Sequence, residues 1–132
     1  MRYWGYIMLK DHPVEVILLA TDLEASKDFY ANKLGLEVES ENDKTVTFRC
    51  GGNTRVSLSA STTGTSDEQT QAVWQVTDIR AEVAELRARG VEILEYDTDE
   101  MKTEDGVADM GEELHAWFMD PAKNSLSISQ KK

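Results

Sequence analysis

The sequence predicts an α+β fold built from two tandem βαβββ modules, and three observations carry that prediction. Part of the chain is duplicated. Each copy holds an amphipathic helix bounded by an aspartate and a glycine, and short runs with strand alternation surround the helices. The copies are residues 21–38 (TDLEASKDFYANKLGLEV) and 77–93 (TDIRAEVAELRARGVEI). Thr21-Asp22-Leu23 aligns with Thr77-Asp78-Ile79 at an offset of 56 residues, and Gly35-Leu36-Glu37-Val38 with Gly90-Val91-Glu92-Ile93 at 55.

The first copy opens with an apolar strand, residues 14–20. Val14, Val16 and Leu18 share one of its faces, and Glu15, Ile17 and Leu19 the other. Both faces carry apolar groups, so a helix is expected to cover one while the other lines a cavity. Asp22 stands at the N-cap, where its carboxylate can accept from free amides of the first turn. Leu23, Ser26, Tyr30 and Leu34 then fall on one helical face with Phe29 beside them, and Gly35 supplies the left-handed stop. Strands follow over 36–40, 44–50 and 54–60, with Asn42-Asp43 and Gly51-Gly52-Asn53 as turns.

The second copy repeats the order more loosely. A strand over 71–76 leads to the Asp78 cap, a helix with Ile79, Val83 and Leu86 on one face, and Gly90. Strands are expected over 91–96, 114–119 and 125–129, with an acidic loop at 97–113. Between the copies, residues 61–69 (STTGTSDEQ) are small, polar and charged, as suits a linker. Each half is too small to bury its own sheet, so 14–60, 61–69 and 70–130 are expected to make one domain after an extension at 1–13.

Composition narrows the function classes. The chain has 132 residues, 40% of them hydrophobic, which suits one folded domain. A net charge of −11 repels phosphate backbones and anionic lipid, so neither nucleic acid nor membrane is expected as a partner. Cys50 is the single cysteine, so no intramolecular disulfide forms and a reduced, cytoplasmic setting is expected. Cys50 itself, with no cation nearby in sequence, reads as an inert thiol. Residues 1–10 (MRYWGYIMLK) lack the basic and apolar regions of a signal peptide; an extra edge strand or a dimer-contact arm is expected there.

The segment VILLATDLEASKDFYANKLGLEV and the ending AWFMDPAKNSLSISQ resemble the glyoxalase/bleomycin-resistance/dioxygenase (vicinal oxygen chelate) superfamily, over roughly residues 14–130. The resemblance implies a curved mixed sheet with helices on its convex side, and a homodimer. It departs at Asp120-Pro121-Ala122-Lys123-Asn124, where the family tends to have Asp-Gly in place of Ala-Lys. A lysine with positive φ costs about 1 kcal/mol, so a rearranged turn is expected.

In metal-using members, four side chains from the first and fourth strands of each module hold a divalent ion. Those positions carry over to Glu15, Ser57, Gln71 and Ser127. Two serines and an amide are poor ligands for Zn, Ni, Mn or Fe, and neither His12 nor His115 falls at a ligand position. No metal and no other cofactor is therefore expected.

Strand parity gathers Ser57, Ser59, Gln71, Gln75, Ser127 and Ser129 into a polar, uncharged lining suited to an organic ligand. Glu15 reads as a ligand anchor or general base, or as a structural carboxylate bonded across the sheet. Trp74 has core parity, whereas Trp117 is open to either face. The loop at 97–113 carries eight acids and no EF-hand spacing; it reads as a solvated loop, or as a lid whose Met101, Val107 and Met110 touch a cationic ligand.

Two function classes follow. The first is a metal-independent binding or resistance protein for a cationic or aromatic antibiotic, with Glu15, Gln71, Gln75, Trp117 and Met110 at its site. The second is a glyoxalase-like lyase, isomerase or dioxygenase using an atypical metal site or Glu15 as base. Whether the chain is an enzyme stays open at this point, as does a third role in protein contact through the N-terminal arm.

Overall fold

The computed structural model describes residues 8–66 and 69–132. Asp22 and Asp78 cap as their positions predict: Ala25 N–H donates to Asp22 Oδ1 at 3.1 Å, and Ala81 N–H to Asp78 Oδ1 at 3.2 Å. They open α1 (Leu23–Asp28) and α2 (Ile79–Ala88). The first helix continues into a wider π-type turn, Phe29–Lys33, where Leu34 N–H reaches back to Phe29 O. Gly35 and Gly90 then take φ of +75° and +88°, as expected at each helix stop.

β1 (Glu15–Ala20), β2 (Glu37–Glu41), β3 (Thr45–Arg49) and β4 (Arg55–Ala60) form one four-stranded sheet, ordered β1-β4-β3-β2. β5 (Thr70–Gln75), β6 (Ala108–Asp109), β7 (Glu113–Met119) and β8 (Ser125–Lys131) form the second, ordered β5-β8-β7-β6. In both, the first strand pairs parallel with the last and the remaining pairs are antiparallel. The expected α+β class and mixed sheet are present, as two ladders of equal strand number.

Alternation decides which face is covered. Leu18 and Ala20 of β1, Val56 and Leu58 of β4, and Val46 and Phe48 of β3 are buried beside Phe29 and Tyr30. Ala72, Ala116, Phe118, Leu126 and Ile128 are buried beside Ile79, Val83 and Leu86 of α2. Phe29 and Phe118 lie 6.5 Å apart between ring centres, so one core runs through both modules. The opposite faces stay open, with Ile17 56% and Val73 46% exposed.

Two expectations need correction. Residues 91–96 do not form a strand, although Val91 and Ile93 are buried as alternation predicts. Leu94 N–H bonds Trp117 O at 2.8 Å, but the next stretch of the β7 edge pairs with β6 instead. The chain leaves the edge at Glu95, whose carboxylate accepts from Thr103 Oγ1 (2.6 Å), Gly106 N (3.0 Å) and Arg87 Nη2 (3.2 Å). Nor is the 120–124 turn rearranged: Lys123 simply takes φ of +67°.

The reason for the second lies in Asp120, which is buried. Its Oδ1 accepts from Ala122 N (2.9 Å) and Asn124 N (2.8 Å), fixing the turn around Lys123. Its Oδ2 accepts from Tyr30 Oη (2.6 Å) and Asn124 Nδ2 (2.8 Å). Asn124 Nδ2 also donates to Leu19 O at 2.8 Å, and Asn124 Oδ1 accepts from Thr65 Oγ1 at 2.6 Å. One cluster thus ties the last hairpin to the Phe29–Lys33 turn, β1 and the inter-module segment. Burial, then the charge and hydrogen bond of Asp120, raise the Tyr30 phenol far above its ordinary value, so it stays a donor.

The arm expected over 1–13 falls partly outside the described residues, which begin at Met8; Leu9–Asp11 makes a single 3₁₀ turn. No helix among the described residues is long and apolar enough to cross a membrane.

Tyr30→Phe removes one of the two donors to Asp120 Oδ2 and is expected to cost about 1–3 kcal/mol, read as a lower urea midpoint at unchanged m. Lys123→Gly relieves the positive φ and is expected to raise stability by about 0.5–1 kcal/mol in the same measurement.

Candidate functional site

Register places the predicted polar residues on the open faces. On the first sheet Ile17 lies beside Ser57, and Ser57 beside Thr47; Leu19 lies beside Ser59, and Ser59 beside Thr45. Glu15 is the first residue of β1 and is exposed. Ser57 Oγ donates to Glu15 Oε1 at 2.5 Å and sits 2.7 Å from Thr47 Oγ1, so the cross-sheet structural pairing is realised. Arg55 is held by Glu39, through Nε to Oε2 at 2.6 Å and Nη2 to Oε1 at 3.0 Å, with Arg49 Nη2 a further 3.0 Å partner.

On the second sheet β8 and β7 bring Ser127 beside Trp117 and Ser129 beside His115. The Trp117 ring stacks on His115, with centres 5.6 Å apart at 16°, and meets Tyr96 edge-on at 5.8 Å and 89°. His115 Nε2 lies 2.9 Å from Glu113 Oε1. Ser129 Oγ is fully buried and has no hydrogen-bond partner among the described residues, whereas Ser127 Oγ donates to Ile128 O at 3.2 Å. Trp117 therefore belongs to the open face. His115 and Tyr96 were not singled out from sequence, although the i, i+2 spacing of His115 and Trp117 already places both on one strand face.

The other predicted residues are more scattered. Gln71 sits at an irregularity of the β5–β8 register, and its Oε1 accepts from Ser125 N at 2.6 Å. Gln75 pairs with Ser129 in register, yet borders a cavity on the helix side with Trp74. Met110 is exposed, and Val107 is buried, although it borders the cleft walled by the acidic segment.

The acidic segment is internally bonded. Asp97 bridges Lys102, Glu104 bridges Val107, and Arg87 Nη1 donates to Asp105 Oδ1 at 2.7 Å. With Tyr96 and Leu114 it walls a cleft of about 920 Å³ that also takes in Arg80, Lys102 and Asp109.

The four positions implied as metal ligands do not fit a divalent ion. Glu15 is the one carboxylate and accepts from Ser57; Gln71 offers an amide oxygen that already accepts from Ser125 N; Ser57 and Ser127 are neutral hydroxyls, poor donors to such an ion. Among the described residues no hydrogen bond joins the pair on the first sheet to Gln71 or Ser127, and no group of three or more His, Cys, Asp or Glu side chains is placed to hold an ion.

A fold of two βαβββ halves, each with its first strand paired parallel to its last, defines a class, and the comparisons identify it. The model of the Glyoxalase/Bleomycin resistance protein/Dioxygenase superfamily matches residues 11–127, and the chain belongs to that superfamily. Among solved structures it is similar to a putative glyoxalase family protein from Bacillus anthracis (18% identity, all of both chains covered, TM-score 0.72). It is also similar to TnmS3, an antibiotic binding protein from Streptomyces sp. CB03234 (20% identity, 96% of this chain and 100% of that one, TM-score 0.69). A third is lactoylglutathione lyase from Agrobacterium tumefaciens (21% identity, 90% and 92% covered, TM-score 0.61). No curated protein matches the chain. At these identities the structural likeness establishes the fold alone.

The Arg55 hydrogen bond, then that of Arg49, lowers the Glu39 carboxyl from its ordinary 4.5 to about 2. A carboxyl depressed on folding contributes stability above its unfolded value and loses it as pH falls through its folded one. Stability is therefore expected to fall between pH 4.5 and about 2 through this group, and Glu39→Gln to flatten that part of the acid limb. Urea midpoints across that range, with the Glu39 carboxyl followed by NMR, check it; a Glu39 midpoint near 4.5 would contradict the ion pair.

Proposed function

We propose that this protein binds a small planar organic compound, cationic or aromatic, on the open face of the second sheet and holds it unchanged. The observation that carries this is the half-buried Trp117 platform, stacked on His115 and buttressed by Tyr96. A fixed indole offers a flat π surface at little ordering cost, and an acidic chain of net charge −11 favours a cation over it. The likeness to an antibiotic binding protein supports a binding role, with an antibiotic as the candidate ligand class. The absence of a fitting donor set at Glu15, Ser57, Gln71 and Ser127 supports a mode of action without metal.

The expected homodimer is kept as part of this proposal. Exposed Ile17, Leu19 and Val73 on the open faces are the apolar surface whose covering favours it.

A second reading has one specific observation in its favour. Glu15, exposed and linked through Ser57 to Thr47, forms a short hydrogen-bonded chain able to take and pass a proton. In that reading the protein is a lyase or isomerase with Glu15 as base, in keeping with the likeness to a lactoylglutathione lyase.

Thermal stabilisation by a panel of planar cationic and neutral antibiotics separates the two, since a bound ligand raises the melting temperature by mass action. Trp117→Ala is expected to weaken the best ligand at least about tenfold while leaving the unliganded melting temperature within a few degrees. Equal stabilisation of wild type and variant by every compound would remove the platform from the site. Conversion of the compound by wild type but not Glu15→Gln, followed by mass spectrometry, would establish the second reading instead.

A further inference from the structure

On the helix side of the second sheet, away from the Trp117 platform, lies a cavity of about 230 Å³. Leu34 enters it from the end of the first helical segment, and Trp74, Leu86, Phe118 and Ile128 from the second module. Glu82 of α2 and Gln75 are the polar members of its lining, and both are exposed, so they stand where the cavity meets solvent. We propose that this cavity is a second small-molecule site, which takes a mono- or bicyclic aromatic amine with its ring against Trp74 and its ammonium at Glu82.

Three features carry the assignment. The first is size: a void of about 150 Å³ holds benzene, whereas drug-sized ligands occupy roughly 300 Å³ or more, so this cavity falls in the range of one or two fused rings. Second, the wall is largely apolar and partly open to water: Leu34, Leu36, Trp74 and Val76 are half-buried, so an apolar ring seated there removes their surface from solvent. Trp74, half-buried in this wall, makes no side-chain hydrogen bond or ring contact among the described residues, although a buried indole ordinarily finds a partner. The third is charge. The Glu82 carboxylate makes no ion pair among the described residues, unlike Glu85 one turn on, which holds Arg89 Nε at 2.8 Å. An apolar wall with one free carboxylate at its mouth selects a ring that carries a cation over a neutral or anionic ring.

This site shares no residue with the Trp117 platform, so it stands or falls by itself. The test uses the full chain labelled with ¹⁵N, the Trp74 indole signal being assigned by its loss in Trp74→Phe. Titration with 1-naphthylmethylamine is expected to shift that signal saturably, in wild type and in Trp117→Ala alike. Glu82→Gln, at an exposed helix position, is expected to weaken this amine about three- to tenfold. Neutral 1-naphthylmethanol should bind wild type and Glu82→Gln equally. The assignment is overturned if the Trp74 signal shows no saturable shift, if the shift is lost in Trp117→Ala, or if amine affinity ignores Glu82→Gln.

Discussion

A buried carboxylate with nowhere else to turn is the constraint on which this structure rests. Asp120 accepts four hydrogen bonds, two from the backbone of its own turn and two from Tyr30 and Asn124. Removing a charge from water is tolerable only when its lone pairs are fully engaged, so each donor constrains the others. Tyr30 must stand at a fixed height on the first helical segment, and Asn124 must also reach Leu19 O and Thr65. The duplicated halves are thereby locked at one point in addition to their shared apolar core. The same engagement explains why Lys123 keeps a positive φ that its side chain does not favour: the turn is shaped by what surrounds it.

That lock lies on the covered side of the sheets and leaves the opposite side to other uses. Both open faces carry short hydroxyls on the strand nearest the middle of the ladder, Ser57 and Ser59 in one half and Ser127 and Ser129 in the other. Their neighbours differ. The first half sets ion pairs around Arg55 and Arg49, so its polar groups largely satisfy one another. The second sets an aromatic stack of Trp117 on His115 over fully buried hydroxyls. Two similar scaffolds thus carry different side chains, ion pairs on the first and stacked rings on the second.

Much of the fold was legible because it rests on local rules. The Asp caps, the glycine stops and strand parity each depend on a few adjacent residues, and each appears where the spacing places it. The failures share a cause in distant partners. Residues 91–96 alternate like a strand, but Arg87, Thr103 and Gly106 draw Glu95 away and β6 takes the adjoining stretch of the edge. Glu15 read as a ligand anchor, a base or a structural carboxylate bonded across the sheet; it lies exposed at the strand's beginning and accepts from Ser57. Of the candidate site, parity correctly separated Trp74 from the hydroxyl-bearing positions. It was silent on Tyr96, whose approach to Trp117 depends on a loop whose course no periodicity fixes.

The two ways of fastening this chain also answer differently to the solution around it. Glu95, Arg87, Asp105 and Thr103 clasp the acidic segment with exposed charges that dissolved ions screen over roughly 10 Å at 0.1 M. The Asp120 cluster is buried and uses neutral donors, so ions in solution scarcely reach it. A brackish medium therefore weakens the Arg87 ion pairs at the wall of the large cleft, while the joint between the halves is left as it is.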